Sequence, residues 1–174
     1  MAMIVPMKTR YLFSFILAFA VTTILFAQVG PKKPREFDDY TLRTLEEISQ
    51  LQGSVIESPN KDVAIHGEIF PTRAKVVYEV TSRPLVQHKK EAIAAWANRF
   101  AGAPETYNRP YQNEVIFSEN GRKHWLVVRK EFLPRFEQEL KKGETVELFL
   151  IKMGSARKGD TWEPVLLVEK FLKP

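Results

Sequence analysis

Few side chains in this sequence are spaced for catalysis, and the clearest local pair lies in His66-Gly67-Glu68. Successive side chains of a β-strand alternate between its two faces, so residues two positions apart point to the same side. An imidazole and a carboxylate placed in this way can serve as a general base or bind a metal ion. His66 and Glu68 are therefore the candidate catalytic residues, and accidental spacing in an ordinary strand is the alternative.

A second group of residues has the chemistry of a binding surface. Aromatic rings interleaved with cations can stack a sugar or a base and hold an anionic group. The candidates alternate along one face of a predicted strand or lie in the loop before it: Lys123, Trp125, Arg129, Tyr107, Arg109 and Tyr111. The alternative is that Trp125 packs in the core, as the apolar residues around it suggest.

Several reaction classes leave no trace in the sequence. The chain has no cysteine, which excludes disulfides, thiolate catalysis and Cys-ligated zinc or iron–sulfur sites. The motifs H-E-x-x-H, G-x-S-x-G, G-x-G-x-x-G and the P-loop are missing too. His124 alternates with apolar residues, which favours a structural role. His88 lies beside two lysines and is predicted to be a solvated helix residue. We expect no metal and no cofactor.

The charge pattern argues against a nucleic-acid partner. Leaving out Lys8 and Arg10, the chain has 24 basic and 21 acidic residues, a net charge of +3. Nucleic-acid-binding domains concentrate more positive charge on one face, whereas acidic and basic residues are interleaved here. Nucleic acid is therefore disfavoured as the partner. We expect an unidentified envelope ligand or protein in its place, because the first residues indicate export.

The first residues have the pattern of an export segment. Lys8 and Arg10 precede an uncharged apolar run over residues 11–26, and Ala27 offers a small residue for cleavage. An uncleaved membrane anchor is the alternative, in which residues 11–27 would be the only contact with the membrane. Both readings place the rest of the chain outside the cytoplasm, in the periplasm or the extracellular space.

The predicted organisation is a signal peptide or anchor at 1–27, a Pro- and Lys-rich linker at 28–37 and a single domain at 38–174. Within the domain, a helix is predicted from Asp38, capped by Asp39 or Thr41 and ended by Gly53. Alternating apolar residues then predict two or three strands over 54–81. A second helix is predicted over 85–101, with Pro84 in its first turn.

The last third of the domain is the most regular. Two β-prone runs flank Asn120-Gly121, the dipeptide typical of tight hairpins, and predict a hairpin over 114–129. Helical spacing of Phe132, Phe136 and Leu140 predicts a helix over 131–142, ended by Gly143. The run at 144–153 is apolar on both faces and predicts an interior strand, with a final strand at 162–171. Five Phe residues (117, 132, 136, 149 and 171), together with Trp96 and Trp162, are expected in the core.

This order of elements resembles the OB-fold, a five-stranded Greek-key barrel. The resemblance is carried by HWLVVRKEFLPRFEQELKKGETVELFLIKMG and WEPVLLVEKF, and the helix at 85–101 departs from the pattern. The predicted fold class is α+β, a small, partly open β-barrel of about five to seven strands with two or three helices. The resemblance implies a binding module, since such barrels bind oligonucleotides, oligosaccharides or proteins. We therefore expect an exported, non-catalytic binding or interaction domain of the cell envelope, with an exported hydrolase acting on an envelope polymer as the alternative.

Overall fold

The structure is a computed structural model that describes residues 39–173 other than 57, 59, 101, 103 and 104. The predicted export segment and linker lie outside the described residues. No helix within these residues has the length and apolar character that crossing a bilayer requires. In chain order the elements are β1 (Thr41–Leu42), α1 (Leu45–Gln50), β2 (Val55–Ile56), β3 (Val63–His66), β4 (Pro71–Pro84), α2 (Gln87–Phe100), α3 (Glu105–Asn108), β5 (Tyr111–Glu119), β6 (Arg122–Arg129), α4 (Phe132–Glu139), β7 (Thr145–Lys158) and β8 (Thr161–Leu172).

Five of the strands form a closed barrel. They pair in the order β4-β5-β6-β8-β7, and β7 pairs back with β4 to close the ring. The β6–β8 pair is parallel, and the other four pairs of the ring are antiparallel. The short strands β1, β2 and β3 extend the sheet beyond the barrel. The predicted α+β class and β-barrel are confirmed, with three helices of six or more residues and the four-residue α3 among the described elements. The ring is closed, whereas a partly open barrel was predicted, and it is compatible with an OB-like fold.

The hairpin β5–β6 follows from its turn residues. Asn120 and Gly121 both have positive φ, 51° and 78°, as a two-residue type I′ turn requires. Asparagine and glycine adopt this conformation at the lowest cost, so the turn fixes the register of the two strands. Glu119 then pairs with Arg122, and Ile116 pairs with Trp125. The predicted hairpin is confirmed.

The first hydrophobic core fills the barrel, and helix α4 contributes to it. Phe136 is fully buried, and its ring centroid lies 4.6 Å from that of Phe171 on β8. Strand β7 pairs on both sides, which confirms the predicted interior strand. The barrel residues of this core are Ala74, Val76, Tyr78, Val115, Phe117, Leu126, Val128, Val146, Leu148, Leu150, Leu166, Val168 and Phe171.

The second hydrophobic core lies on the outside of the barrel, under helix α2. Ile93, Trp96 and Ala97 of the helix are buried there with residues of β3, β6, β7 and β8. Val127 of β6, alternating with the barrel residues Leu126 and Val128, belongs to this outer core. The helix that departs from the OB pattern therefore covers part of the outer barrel surface.

Three predicted features of the first half are wrong in detail. Helix α1 begins at Leu45, because Thr44 forms a capping box with Glu47. Thr41, a predicted cap, lies in β1. Pro84 is the last residue of β4 and does not lie in the first turn of α2. Thr41 and Pro84 are both suited to a helix start, but each occupies a strand that pairs with a neighbour.

The last two strands differ from prediction as well. Strands β7 and β8 extend to Lys158 and from Thr161, so only a two-residue turn separates them. Residues 154–158, which lie between the two predicted strands, therefore belong to β7. Trp162, expected in the core, is 49% exposed because it lies near the turn end of this long hairpin. The five predicted core phenylalanines and Trp96 are buried, as expected.

Candidate functional site

The outer face of β6 carries the predicted aromatic and cationic residues. Trp125 is half-buried, and the guanidinium carbon of Arg83 lies 3.9 Å from the centroid of its ring. Arg83 is itself held by Glu114, whose Oε2 lies 2.9 Å from the arginine Nε. Lys123 is exposed. One side of the indole is therefore occupied by a cation of this chain, which leaves less of the ring for a ligand to stack on.

Arg129 lies further along the same face and is separated from Trp125 by a buried residue. Val127, between them, is fully buried in the outer core. Arg129 Nε lies 2.6 Å from Glu131 Oε1 in an ion pair. The strand thus places Trp125 and Arg129 on one face, as predicted, but they do not adjoin.

The predicted loop residues have separate surroundings. Tyr107 packs edge-on against Trp96, with ring centroids 5.2 Å apart. Tyr111 is buried at the start of β5, and burial raises the pKa of its phenol well above the ordinary value. Arg109 is exposed. The part of these residues in ligand binding stays a prediction.

A network of charges ties helix α2 to the barrel. Glu114 is fully buried, and its Oε1 accepts a 2.6 Å hydrogen bond from Lys89 of α2. Lys89 also lies 3.9 Å from Glu163 on β8, which accepts a hydrogen bond from Lys158 and lies 3.2 Å from the His88 ring. Burial alone would raise the pKa of Glu163, but these hydrogen bonds lower it below the ordinary value. The network fastens α2 across β5 and β8.

The predicted catalytic pair is not held together by strand geometry. Strand β3 ends at His66, so the alternation that would place Glu68 on the same face does not extend that far. Glu68 is exposed, and its carboxylate accepts hydrogen bonds of 3.2 Å from the backbone N–H and the hydroxyl of Ser54. Its hydrogen bonds therefore engage the loop before β2.

His66 is buried and electrostatically biased toward the neutral form. It is 5% exposed, and its Nδ1 is shielded from solvent with no hydrogen-bond partner among the described residues. Burial lowers the pKa of His66, the nearby charge of Lys152 lowers it further, and Glu68 opposes both. The imidazole is therefore mainly neutral at pH 7.

Lys152 is a buried cation in strand β7. It is 3% exposed, and its Nζ donates to the carbonyl oxygens of Ser49 at 2.6 Å and Leu51 at 2.7 Å. These carbonyls lie at the C-terminal end of helix α1, where a cation interacts favourably with the helix dipole. Within the described residues no carboxylate pairs with this ammonium group, and burial lowers the pKa of Lys152.

His66 and Lys152 line the same cleft, which we call the Lys152 cleft. It has a volume of about 510 Å³, and its wall includes Gln52, His66, Lys152, Ser155, Trp162 and Pro164. The loop after α1, the end of β3 and the β7–β8 hairpin supply these residues. The volume lies within the range of about 300–1,000 Å³ that is common for small-molecule sites.

The distribution of buried ionisable groups distinguishes this cleft from the rest of the described structure. The buried His, Lys and acidic residues of that part are His66, Lys89, Glu114 and Lys152. Lys89 and Glu114 pair with each other at 2.6 Å. The other two have no acidic partner at hydrogen-bond distance within the described chain, and both line the Lys152 cleft. Burying a cation without a counter-charge is costly, so a site that retains one is a candidate for binding an anion.

The chemistry available in the Lys152 cleft is hydrogen bonding and charge. An ammonium group with three N–H donors uses two of them on backbone carbonyls. Side-chain amide, hydroxyl and imidazole groups lie around it. In the part of the chain that is described, no three His, Asp or Glu side chains are grouped as metal ligands would be.

The chain was compared with protein-family models, with curated proteins and with solved structures, and none of the three comparisons found a match. The geometry of the described residues is therefore the basis for the functional assignment.

Of the residues that line the Lys152 cleft, the sequence pattern indicates His66 as a candidate, gives no motif for Lys152 and places Trp162 in the core. The site is assembled from segments about a hundred residues apart, so it leaves no local motif. One indication was available in the sequence. Lys152 interrupts the otherwise apolar run Leu148 to Met153, which was predicted to be buried on both faces. A lysine in such a strand either lies at a solvated edge or is a buried cation, and a buried cation requires a partner.

Proposed function

We propose that this domain is a non-catalytic binding module of the bacterial cell envelope that takes an anionic ligand in the Lys152 cleft. One observation carries the proposal: the two buried His and Lys side chains that lack an acidic partner at hydrogen-bond distance in the described chain, His66 and Lys152, both line this cleft. A bound anion would supply the counter-charge that Lys152 lacks. A hydrogen bond to a charged group contributes about 1.5–3 kcal/mol, which corresponds to about ten- to hundredfold in affinity.

The location in the envelope rests on the first 27 residues. The pair Lys8 and Arg10 followed by an uncharged apolar run is the pattern of an export segment. An exported OB-like domain would meet wall and capsule polymers, many of which carry carboxylate or phosphate groups. The OB-like order supports a binding role by analogy of fold, which licenses no specific ligand.

Calorimetric titration of the full chain with acetate and with inorganic phosphate tests the proposal. We expect at least one anion to bind, and Lys152→Met to weaken it at least tenfold. Lys123→Met, which removes an exposed lysine of the β6 face, is the matched control and should bind normally. Failure of both anions to bind the wild type would contradict the proposal. The proposal would also be contradicted if Lys152→Met bound the anion normally while Lys123→Met, or the double variant Trp125→Ala with Arg129→Ala, lost affinity for it.

Because Lys152 also caps helix α1, Lys152→Met can impair folding. A second pair of variants leaves that contact in place. Ser155 is half-buried in the cleft wall, and Ser155→Glu would add a negative charge there while Ser155→Gln would not. We expect Ser155→Glu to weaken anion binding by about tenfold relative to Ser155→Gln, through like-charge repulsion. Equal affinities in these two variants would place the bound anion elsewhere.

An exported hydrolase is the second candidate, and one observation favours it. The lowered pKa of His66 keeps the imidazole in the form that accepts a proton, and it lines an open cleft. Turnover of peptidoglycan, ester or phosphodiester substrates by the full chain, compared with His66→Ala, separates the two functions. The binding-module proposal predicts no turnover above that of the variant.

A further inference from the structure

Trp162 gives the Lys152 cleft an aromatic wall. It lies in β8 opposite Arg157, near the turn end of the β7–β8 hairpin, and is 49% exposed. Unlike Trp96 and Trp125, it makes no ring–ring or cation–π contact with the described residues. An indole surface of this size, left uncovered beside a polar cleft, is suited to stacking against a ligand.

The polar groups of the cleft complement that aromatic wall. Gln52 offers an amide that can both donate and accept, and Ser155 offers a hydroxyl that can do the same. Pro164 pairs with Ser155 across the hairpin and adds apolar surface two residues from Trp162. A ligand that fits this wall has an apolar face, several hydroxyl groups and one negative charge.

We propose that the ligand of the Lys152 cleft is an acidic sugar, a pyranose that carries a carboxylate or phosphate group. The C–H face of the ring stacks on Trp162, the hydroxyl groups bond to Gln52 and Ser155, and the acidic group provides the counter-charge of Lys152. This inference rests on the proposed function and narrows it, because a simple anion needs Lys152 but has no use for Trp162.

Fluorescence and calorimetric titrations of the full chain with glucuronate, glucose 6-phosphate and glucose test the inference. We expect glucuronate or glucose 6-phosphate to bind at least tenfold more tightly than glucose. The better of the two identifies carboxylate or phosphate as the acidic group. Glucose binding as tightly as both acids would overturn the inference, and so would benzoate binding as tightly as the better acid.

Variants at Trp162 locate the stacking contact. We expect Trp162→Ala to lose about tenfold in affinity for the acidic sugar, and Trp162→Phe, which keeps a ring, to lose less. Phe100→Ala removes an exposed aromatic side chain that does not line the cleft and serves as the control. Unchanged affinity of Trp162→Ala for both acidic sugars would overturn the inference.

Acetate and inorganic phosphate separate this failure from failure of the proposed function. If the inference holds, Trp162→Ala binds these simple anions as the wild type does. Binding of simple anions without any preference for acidic sugars leaves the proposed function standing and overturns the sugar assignment. Absence of binding by every anion overturns both.

Discussion

Replacing Glu114 by Gln should destabilise the fold by about 3 kcal/mol. The carboxylate is fully buried and accepts from Lys89 Nζ at 2.6 Å and from Arg83 Nε at 2.9 Å. Without it, Lys89 retains the Trp125 carbonyl at 3.2 Å and the Glu163 carboxylate at 3.9 Å. Breaking a buried ion pair by removing one partner costs about 3–5 kcal/mol. The lower value applies because the Arg83 side chain is 32% exposed and can be hydrated.

Urea denaturation of the full chain, followed by far-UV circular dichroism, measures this cost. With a slope of about 1–3 kcal/mol per molar urea, the midpoint should fall by about 1–3 M. Glu137→Gln, an exposed position on α4, is the control and should change stability by less than about 0.5 kcal/mol. Adding Lys89→Met removes the cation that has lost its buried carboxylate, so the double variant should be more stable than Glu114→Gln alone. A Glu114→Gln midpoint equal to that of the wild type would refute the assignment of a buried ionic network.

Three further outcomes follow from packing and burial. Phe136→Ala should cost about 3–5 kcal/mol in urea denaturation, whereas Glu137→Ala, one position further round α4, should cost less than about 0.5 kcal/mol. Burial lowers the pKa values of His66 and His124, so the unfolded chain binds more protons and stability should fall as the pH drops below about 6.5. Urea midpoints at pH 7.5 and 5.5 measure this fall. A midpoint shift in His66→Phe equal to that of the wild type would contradict a contribution from His66. Gly154→Ala should prevent stable folding, because a Cβ atom at this position overlaps the backbone of strand β3. A native circular dichroism spectrum for this variant would contradict that close approach.

The C-terminal third was predictable because its local signals agree with its tertiary environment. The Asn120-Gly121 turn separates β5 from β6, and a glycine follows the end of α4. The apolar periodicity of these elements matches the faces that they bury in the cores. The failures arise where tertiary contacts decide. Thr41 is a good helix cap by type but pairs in β1, and Pro84 ends a strand because β4 continues to pair with β5.

The candidate site was only partly predictable for a related reason. Outside the cleft, Lys89 shows the same effect: it lies on the buried side of α2 because it meets Glu114, a contact between elements that no spacing rule contains. Trp162 was expected in the core, but the β7–β8 hairpin extends past the barrel and Trp162 lines an open cleft there. Lys152 and His66 come together only through the pairing of β3 with β7.

The histidine ring resonances of the full chain, followed by NMR during titration with glucuronate and separately with acetate, test the anion site most directly. A bound anion favours the imidazolium form, so the pKa of His66 should rise on binding. The ring signals of His88 and His124 should stay in place. Both control histidines lie outside the cleft wall. We expect the His66 signal alone to move, and its movement to saturate with the calorimetric affinity. Saturable binding of an anion that leaves His66 unmoved, or that shifts His88 or His124 in its place, would contradict an anion site in the Lys152 cleft.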